Sequence, residues 1–312
     1  MKLNILLSTY NGEAFLAEQI ESIQAQTFTD WNLLIRDDGS KDGTTQIIQK
    51  FVEQDSRIRW INANHVENLG VIKSFHTLLK YEPADFYCFS DQDDTWLPDK
   101  LALQVEEAQR YSADHPLLVY TDLKVVDQDL KILHESMIRT QSDHANTQLV
   151  QELTENTVTG GVALINHALA ELWTGQEEHE LLMHDWYLGL LASAFGYLVY
   201  IDQPTELYRQ HANNVLGART LRKRMQNWIH PHVLFDKYWN LIQRSQEQTK
   251  NLLNLDLAED QRQLVENFVT IMDQPLSERY RRLKTYGYRK NRAFHTFVFT
   301  SLILTKFMYK EK

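Results

Sequence analysis

A short acidic cluster is the stretch of this sequence whose residue types are best suited to chemistry. Asp91, Asp93 and Asp94 follow the apolar run 86–89, which predicts the end of a buried strand. In an extended strand tip, Asp91 and Asp93 project to the same side. Two such carboxylates repel each other unless a cation lies between them. The pattern therefore predicts a site for Mg²⁺ or Mn²⁺, which would take the rest of its ligands from water and a diphosphate. The alternative is a surface acidic turn or a cap for a helix that begins near Pro98.

Two other predicted strands also end in polar or acidic residues. Residues 2–8 lead into Thr9, Tyr10 and Asn11, and residues 33–36 lead into Asp37 and Asp38. Predicted helices separate these strands, so the pattern indicates right-handed crossovers and a mostly parallel sheet. In such sheets ligands bind outside the carboxyl ends of the strands. We expect the three polar tips to form one site.

The first two tips carry candidates for holding a nucleoside. Thr9, Asn11 and Asp38, with Asp37 beside them, are suited to the base and ribose, because a carboxylate accepts the imide N–H of thymine or uracil. The alternative role for Asp37 or Asp38 is an Asx-turn or a helix N-cap, although Asp42 is a better candidate for capping.

The acidic cluster divides into three roles. Asp93 is the first choice of metal ligand, Asp91 reaches the ribose or a metal-bound water, and Asp94 orients its neighbours. Farther along, Arg209 is placed to contact the diphosphate, and a neutral His211 to complete the metal shell. A surface arginine and a histidine at the edge of the core are the alternatives.

Asp185 is a candidate general base. It precedes the apolar segment 186–194, and contact with Trp186 would raise its pKa toward neutrality by desolvation. The alternative is an N-cap aspartate. Gly160 and Gly161 after Thr159 would allow close backbone approach to the acceptor, although a plain bend explains them equally.

The ordered set of motifs resembles the inverting glycosyltransferases of family two. The motifs are Ser8-Thr9-Tyr10-Asn11, Asp37-Asp38-Gly39-Ser40, Asn68-Leu69-Gly70, Asp91-Gln92-Asp93-Asp94 and His184-Asp185-Trp186. Within that family, Thr159-Gly160-Gly161 and the segments 183–186 and 208–214 look like bacterial rhamnosyltransferases of cell-wall polysaccharide synthesis. The resemblance covers roughly residues 1–217. It implies an α/β GT-A fold, a Rossmann-like mixed and mostly parallel sheet flanked by helices, here with a helical C-terminal extension.

The resemblance also implies a set of site residues. The nucleotide-sugar-binding set is Thr9, Tyr10, Asn11, Asp37, Asp38, Asn68, Gly70, Lys73, Asp91, Gln92 and Arg209. The acceptor-binding set is Thr159, Gly160, Gly161, His184 and Trp186, the metal ligands are Asp93, Asp91 and His211, and the catalytic base is Asp185. The implied cofactor is Mg²⁺ or Mn²⁺, and the implied substrates are a nucleotide-sugar donor and a saccharide or polyprenyl-linked saccharide acceptor.

The expected reaction is inverting transfer of a sugar, with L-rhamnose from dTDP-rhamnose as first choice, onto a lipid-linked or growing cell-wall polysaccharide. UDP-glucose, UDP-galactose and UDP-N-acetylhexosamine remain alternative donors. A non-catalytic nucleotide-sugar-binding protein is disfavoured because it would need no base. A nucleotidyltransferase is disfavoured because residues 8–13 form no glycine-rich, basic loop for a triphosphate.

Composition places the chain among ordinary soluble proteins. Of 312 residues, 43% are hydrophobic and 24% charged, and a single Cys88 excludes an internal disulfide. The sequence has no apolar run of spanning length and no signal-like start. We expect a cytoplasmic protein, at the inner face of the plasma membrane if the acceptor is lipid-linked.

Positive charge is concentrated toward the C-terminus. Residues 219–312 hold 18 Lys or Arg against 9 Asp or Glu, and the preceding residues hold 14 against 33. Basic residues at 279–292 precede the aromatic-rich segment 294–304, a pattern typical of a helix on an anionic membrane surface. The alternative is a helix pair that packs on the catalytic domain or a second subunit. Nucleic-acid binding is not expected, because no recognition motif accompanies the charge.

These features predict two regions. Residues 1–217 would form the catalytic domain, with a nucleotide half at 1–126 and an acceptor half at 127–217, and residues 218–312 a helical basic region. Helical spacing predicts helices over 221–243 and 252–272. The polar segment 127–156 is expected to be a loop with short elements that closes over substrate.

Overall fold

A computed structural model describes residues 1–176, 180–211 and 231–310. Over these residues the strands form one mixed sheet of nine, in the order β3-β2-β1-β4-β8-β6-β9-β5, with β7 paired to β6. The strands are β1 (Leu3–Thr9), β2 (Asn32–Asp37), β3 (Ile58–Trp60), β4 (Phe86–Ser90), β5 (Thr95–Trp96), β6 (Leu117–Val126), β7 (Ile132–His134), β8 (Ala163–Asn166) and β9 (Tyr197–Arg209).

Helices flank this sheet and also make up most of the C-terminal region. Those before residue 200 are α1 (Leu16–Gln24), α2 (Thr44–Gln54), α3 (Val71–Tyr81), α4 (Lys100–Ala108), α5 (Met137–Gln141), α6 (Leu149–Thr154), α7 (His167–Thr174) and α8 (His184–Phe195). The C-terminal ones are α9 (Pro231–Lys250), α10 (Glu259–Val269), α11 (Leu276–Tyr286) and α12 (Ala293–Thr305).

The first four strands are parallel and joined by α1, α2 and α3, as the sequence predicts. β1 is fully buried along Leu3, Ile5 and Leu6, which is typical of parallel strands covered on both faces. The register pairs Thr9 with Asp37, and β4 runs parallel on the other side of β1. The carboxyl ends of β1, β2 and β4 therefore meet at one edge of the sheet.

The second half of the sheet changes strand direction. β8 runs antiparallel to both β4 and β6, whereas β6 and β9 are parallel. β5 pairs antiparallel with β9, with Thr95 opposite Leu207. This pairing returns the end of β9 to the acidic segment that follows β4. The segment 127–156 forms β7, α5 and α6 with short connections, as predicted.

The C-terminal helices pack on the sheet through a common hydrophobic core. Trp239 and Ile242 of α9 and Phe299 of α12 lie in the same buried cluster as Leu6 and Phe75. Packing against the catalytic region, the alternative to membrane contact, therefore accounts for the buried face of these helices. α12 nevertheless exposes 69% of Phe294 and 69% of Phe297.

The predicted C-terminal helix bounds were wrong in part. The helix expected at 221–243 is observed as α9, which ends later at Lys250, and the expected start falls outside the described residues. The segment expected as a helix at 252–272 is interrupted, and only Glu259–Val269 is α-helical. The proposed boundary at 217–218 also lies outside the described residues. Of the helices that are described, none is long and apolar enough to cross a bilayer.

Candidate functional site

Asp37 binds its own turn and the neighbouring strand. Its buried carboxylate accepts hydrogen bonds from the Thr9 hydroxyl at 3.0 Å, the Gly39 N–H at 3.1 Å and the Ser40 N–H at 2.9 Å. These bonds form the Asx-turn that the sequence left as the alternative. Asp42 accepts the N–H of Thr44 at 3.0 Å, but Gly43 occupies the N-cap position of α2, so the predicted N-cap role of Asp42 is wrong.

Asp38 is buried and holds the loop that precedes α3. Its carboxylate pairs with Arg36 at 2.6 Å and accepts the N–H groups of Leu69 at 2.7 Å and Gly70 at 2.9 Å. The Asn68 amide donates to the Asp38 carbonyl oxygen at 2.8 Å. Gly70 has φ +78°, a conformation that favours glycine. Asp38, Asn68 and Gly70 thus form one unit, and donor contact by them stays a prediction.

Gln92 joins the tips of β1 and β4. Its side chain accepts the Tyr10 N–H at 2.8 Å and donates to the Tyr10 carbonyl oxygen at 3.0 Å. A Cβ atom at Gly12 would lie 2.3 Å from the Gln92 amide oxygen, so this close contact requires glycine. Asn11 accepts the Lys41 N–H at 2.9 Å, and Tyr10 is 48% exposed. The three tips therefore come together as predicted, with the Tyr10 ring open to a ligand.

Lys73 lies beside this edge, on the first turns of α3. It is exposed and lines a surface cavity of 510 Å³ together with Gly70 and Arg244. This position places a cation next to the Gly70 loop.

Asp91 is a partly buried carboxylate crowded by like charges. No hydrogen bond to its carboxylate comes from the described residues. Burial raises the pKa of Asp91 most, and the charges of Asp93, Glu206 and Asp185 add to the rise, which brings the pKa to about 8. A bound cation at this position would offset both the burial of the negative charge and the repulsion from the neighbouring carboxylates.

Asp93 contacts His211, the other candidate metal ligand. The His211 Nε2 atom lies 2.8 Å from a carboxylate oxygen of Asp93, and the imidazole packs on the Phe15 ring with centroids 4.9 Å apart. The chain therefore brings Asp93 and His211 together from two distant segments, and the assignment of a metal to Asp91, Asp93 and His211 stays a prediction. No group of three metal-binding side chains occurs within 1–176, 180–211 and 231–310. A cation here would depend on the diphosphate for further ligands.

Asp94 is buried under the same tip. One oxygen accepts the Arg209 N–H at 2.9 Å, and the other has no partner among the residues described. Burial and the nearby Glu206, Asp93 and Asp91 raise the pKa of Asp94 well above its ordinary value. Glu206 itself pairs with the fully buried Lys100 at 3.2 Å. Asp94 thus anchors the tip to β9, consistent with an orienting role.

Arg209 is turned into the protein. Only 2% of it is exposed, and its guanidinium contacts Glu18 and donates to the carbonyl oxygens of Asp93 and Gln128. In this arrangement Arg209 supports the acidic tip. The predicted contact with a diphosphate is not tested by these bonds and stays a prediction.

Asp185 lies inside the first turn of α8, because Met183 occupies the N-cap position. Its carboxylate accepts the Gly160 N–H at 3.1 Å and also faces the Asn156 amide at 3.4 Å. Burial raises the pKa of Asp185 to about 6, and hydrogen bonds from Trp186, Gly160 and Asn156 oppose that rise. The N-cap alternative is therefore wrong, and the expected desolvation is present.

A cavity of 230 Å³ opens beside this carboxylate. Its wall includes Asp185, Thr159, Asn156 and Tyr208. We call this space the base cavity. Asn156 was not among the predicted site residues, and nothing in its sequence context distinguishes it. A buried carboxylate with a near-neutral pKa in such a cavity is suited to accept a proton from a bound hydroxyl.

Two of the predicted acceptor-binding residues, His184 and Trp186, are buried. His184 is 3% exposed, packs between the rings of Phe75, Phe89 and Trp173, and has its pKa lowered to about 3 by burial. Trp186 is 5% exposed. The direct acceptor contact predicted for His184 does not fit this enclosure, because aromatic rings occupy the space around the imidazole.

The two glycines fit closely against buried side chains. A Cβ atom at Gly160 would lie 3.0 Å from Nε2 of His184, and one at Gly161 would lie 2.5 Å from a carboxylate oxygen of Glu206. The Gly161 carbonyl oxygen accepts a hydrogen bond from Lys100 at 2.6 Å. Glycine is needed here for internal packing. Lys100 and Glu206, which form a fully buried ion pair beside Gly161, were not among the predicted site residues.

The sequence of this chain is similar to those of known glycosyltransferases. A family described as Glycosyl transferase family 2 matches residues 4–173. The dTDP-rhamnosyl transferase RfbG of Shigella flexneri is 30% identical over 223 residues, covering 68% of this chain and 74% of that protein. The UDP-Glc:alpha-D-GlcNAc-diphosphoundecaprenol beta-1,3-glucosyltransferase WfgD of Escherichia coli is 34% identical over 103 residues, 33% of this chain and 39% of that protein.

Solved structures share the fold. S. aureus TarS 1–349 in complex with UDP-GlcNAc gives a TM-score of 0.59 at 17% identity, covering 92% of this chain and 80% of that one. The mannosyltransferase PcManGT from Pyrobaculum calidifontis, in complex with GDP-Man and Mn²⁺, gives 0.56 at 13% identity, covering 98% and 80%. The predicted GT-A fold is confirmed.

Proposed function

Because the chain belongs to glycosyltransferase family 2, we propose that it transfers a hexose from a nucleoside diphosphate to a saccharide hydroxyl with inversion. The observation that carries this proposal is Asp185, a buried carboxylate of near-neutral pKa in the base cavity. Its charge also acts on Asp91 at the tip of β4. The donor and acceptor sites of this proposal would therefore be adjacent.

Asp185 would act as general base. Its ionised carboxylate accepts the proton of the acceptor hydroxyl as the oxygen bonds to the anomeric carbon. The bond from that carbon to the diphosphate breaks on the opposite face, so the configuration inverts. The Gly160 N–H and the Asn156 amide hold the carboxylate in place.

Asp93, Asp91 and His211 would hold the divalent cation of this proposal. The crowded, hydrogen-bond-poor carboxylate of Asp91 and the contact of Asp93 with His211 fit an ion that also binds oxygen atoms of the donor. When bound, Mg²⁺ or Mn²⁺ supplies positive charge against the leaving diphosphate. The tips of β1 and β2, with Tyr10 exposed, would hold the nucleoside.

dTDP-L-rhamnose is the proposed donor, and synthesis of a bacterial polysaccharide the proposed context. The alignment with the dTDP-rhamnosyl transferase RfbG extends over 68% of this chain and supports this choice. The shorter match to the glucosyltransferase WfgD supports UDP-glucose as the alternative. UDP-galactose and UDP-N-acetylhexosamines complete the set of donors to compare.

The test is a donor panel with wild-type protein and Asp185→Asn. We expect transfer from dTDP-rhamnose, loss of transfer in Asp185→Asn, and donor affinity within a few-fold by calorimetry, because Asp185 acts on the acceptor. Wild-type activity should fall about tenfold per pH unit below pH 6, as Asp185 becomes protonated. Loss of donor binding in Asp185→Asn would instead make it a donor ligand or a structural residue.

We also propose that the exposed side of α12 contacts an anionic membrane carrying a lipid-linked acceptor at the cytoplasmic face. Phe294 and Phe297 lie three residues apart and are each 69% exposed, in a region with excess positive charge. Phe294→Ser with Phe297→Ser should abolish flotation with anionic vesicles, whereas exposed Tyr81→Ser should not. If the double variant instead converts a dimer to a monomer in light scattering, this face is a subunit interface.

A further inference from the structure

We propose that a second cavity, formed jointly by the acceptor half and the C-terminal helices, binds the second sugar of an oligosaccharide acceptor. This proposal rests on the proposed glycosyl transfer at Asp185. The second cavity encloses 260 Å³ and is lined by Trp186, Tyr238 of α9 and His295 of α12, among others.

The second cavity continues the base cavity. Gln141, Ser142 and Asn156 line both. The base cavity measures 230 Å³ and the second 260 Å³. Each alone is smaller than the roughly 300–1,000 Å³ of typical small-molecule sites, and the two together reach that range. A ligand that fills this cleft would extend from Asp185 toward the C-terminal helices.

The lining suits a neutral, hydroxyl-rich ligand. Gln141, Ser142 and Tyr238 line the second cavity, and in the described part of the chain their side-chain polar atoms make no hydrogen bond. Tyr238 is partly exposed, so its ring can pack on the C–H face of a sugar. Amides, hydroxyls and one open aromatic ring are the groups that bind saccharides.

The charges of the second cavity disfavour a phosphate at this position. Lys290 donates to the carbonyl oxygen of Thr154, and Arg292 donates to the Thr140 carbonyl at 2.7 Å. Arg292 also pairs with Asp143 at 3.2 Å. Both cations are engaged by protein oxygens, and the carboxylate of Glu155 lines the same space.

Three residues that line this cavity lie beyond the family match. That match ends at residue 173, whereas Trp186, Tyr238 and His295 follow it. The length of the acceptor would therefore be recognised in part by the C-terminal helices, which form one wall of the site.

The test compares two acceptors, alkyl glycosides of one and of two sugars that end in the same terminal sugar. A transfer assay with the full chain first identifies a terminal sugar that is accepted. We expect the disaccharide to give at least about fivefold higher kcat/KM, the scale of one well-packed aromatic contact. Tyr238→Ala should remove most of this advantage through KM while leaving the monosaccharide rate unchanged. Tyr280→Ala, which removes a tyrosine that is 54% exposed on α11, is the matched control.

Two further comparisons complete the experiment, a variant that fills the second cavity and an acceptor that carries a diphosphate. Leu241→Trp adds bulk to the second cavity and should also lower disaccharide transfer selectively. An equal kcat/KM for both acceptors, or equal loss on both in Tyr238→Ala, would overturn the proposal. The proposal would also be overturned if an alkyl diphosphate on the monosaccharide raised kcat/KM while a second sugar did not. Absence of transfer to every acceptor would count against the proposed function itself.

Discussion

The two strands that flank β1 in this sheet, β2 and β4, both lead into aspartates at their carboxyl ends, and the two tips differ in how those carboxylates are satisfied. At the end of β2, Asp37 and Asp38 accept hydrogen bonds from backbone N–H groups and hydroxyls, and Asp38 pairs with Arg36. After β4, Asp91 lacks such donors among the described residues. Burial and the charges of neighbouring acids raise its pKa to about 8.

The difference indicates two uses of the same residue type. The acids after β2 stabilise their own loops and thereby fix the shape of the proposed nucleoside site. The acids after β4 carry an unfavourable concentration of negative charge that only a cation or protons can offset. The acids at the β2 tip, where donors are plentiful, have a structural role, and the β4 tip, where donors are scarce, is the position of the proposed cation.

The largest expected effect is on stability, at the β2 tip. Asp38→Ala removes the only carboxylate paired with Arg36 among the described residues, and it removes the acceptor for the N–H groups of Leu69 and Gly70. We expect the free energy of unfolding to fall by about 3–5 kcal/mol, the range for breaking a buried ion pair. Urea denaturation measures this, with the exposed Asp30→Ala as control. A loss comparable to that control would show that the carboxylate is not holding the loop.

The next effect is on activity, at the β4 tip. Asp93→Asn removes a charged ligand without disturbing the core, so we expect transfer to fall at least about a hundredfold with unchanged urea stability. Activity with saturating Mn²⁺ is the measurement. Near-normal turnover of Asp93→Asn, unaffected by a chelator, would refute the metal assignment.

A smaller effect is expected in the pH dependence of cation binding. Asp91 with a pKa of about 8 carries a proton at neutral pH in the absence of a cation, and cation binding must displace it. The affinity for Mn²⁺ in the presence of dTDP should therefore rise between pH 6.5 and pH 8, by up to about tenfold per unit. Calorimetry of wild type and Asp91→Asn measures this, and the variant should lose the pH dependence. A flat profile in wild type would mean that Asp91 does not face the cation.

The strand tips were predictable from the sequence because alternating strands and helices impose parallel neighbours. Thr9 and Asp37 then meet by register, as observed. The direction of each side chain was not predictable. Arg209 reaches the acidic tip through the long-range pairing of β5 with β9, and its orientation toward Glu18 depends on that pairing.

The acceptor side was harder to predict for a related reason. α8 is apolar on nearly all faces, so the sequence could not tell that His184 would be enclosed by rings while Asp185 lines the base cavity. The second cavity depends on α9 and α12 packing against the acceptor half. No local pattern encodes that packing.

The most direct test of the contrast between the two tips is calorimetry of dTDP and UDP binding with and without Mn²⁺. Wild type, Asp93→Asn and Asp37→Asn should be compared under the same conditions. We predict that Mn²⁺ tightens nucleotide binding at least about tenfold in wild type, that Asp93→Asn loses this gain, and that Asp37→Asn retains it. Equal affinity with and without Mn²⁺ in wild type, or loss of the gain in Asp37→Asn with retention in Asp93→Asn, would contradict the assignment of the cation to the β4 tip.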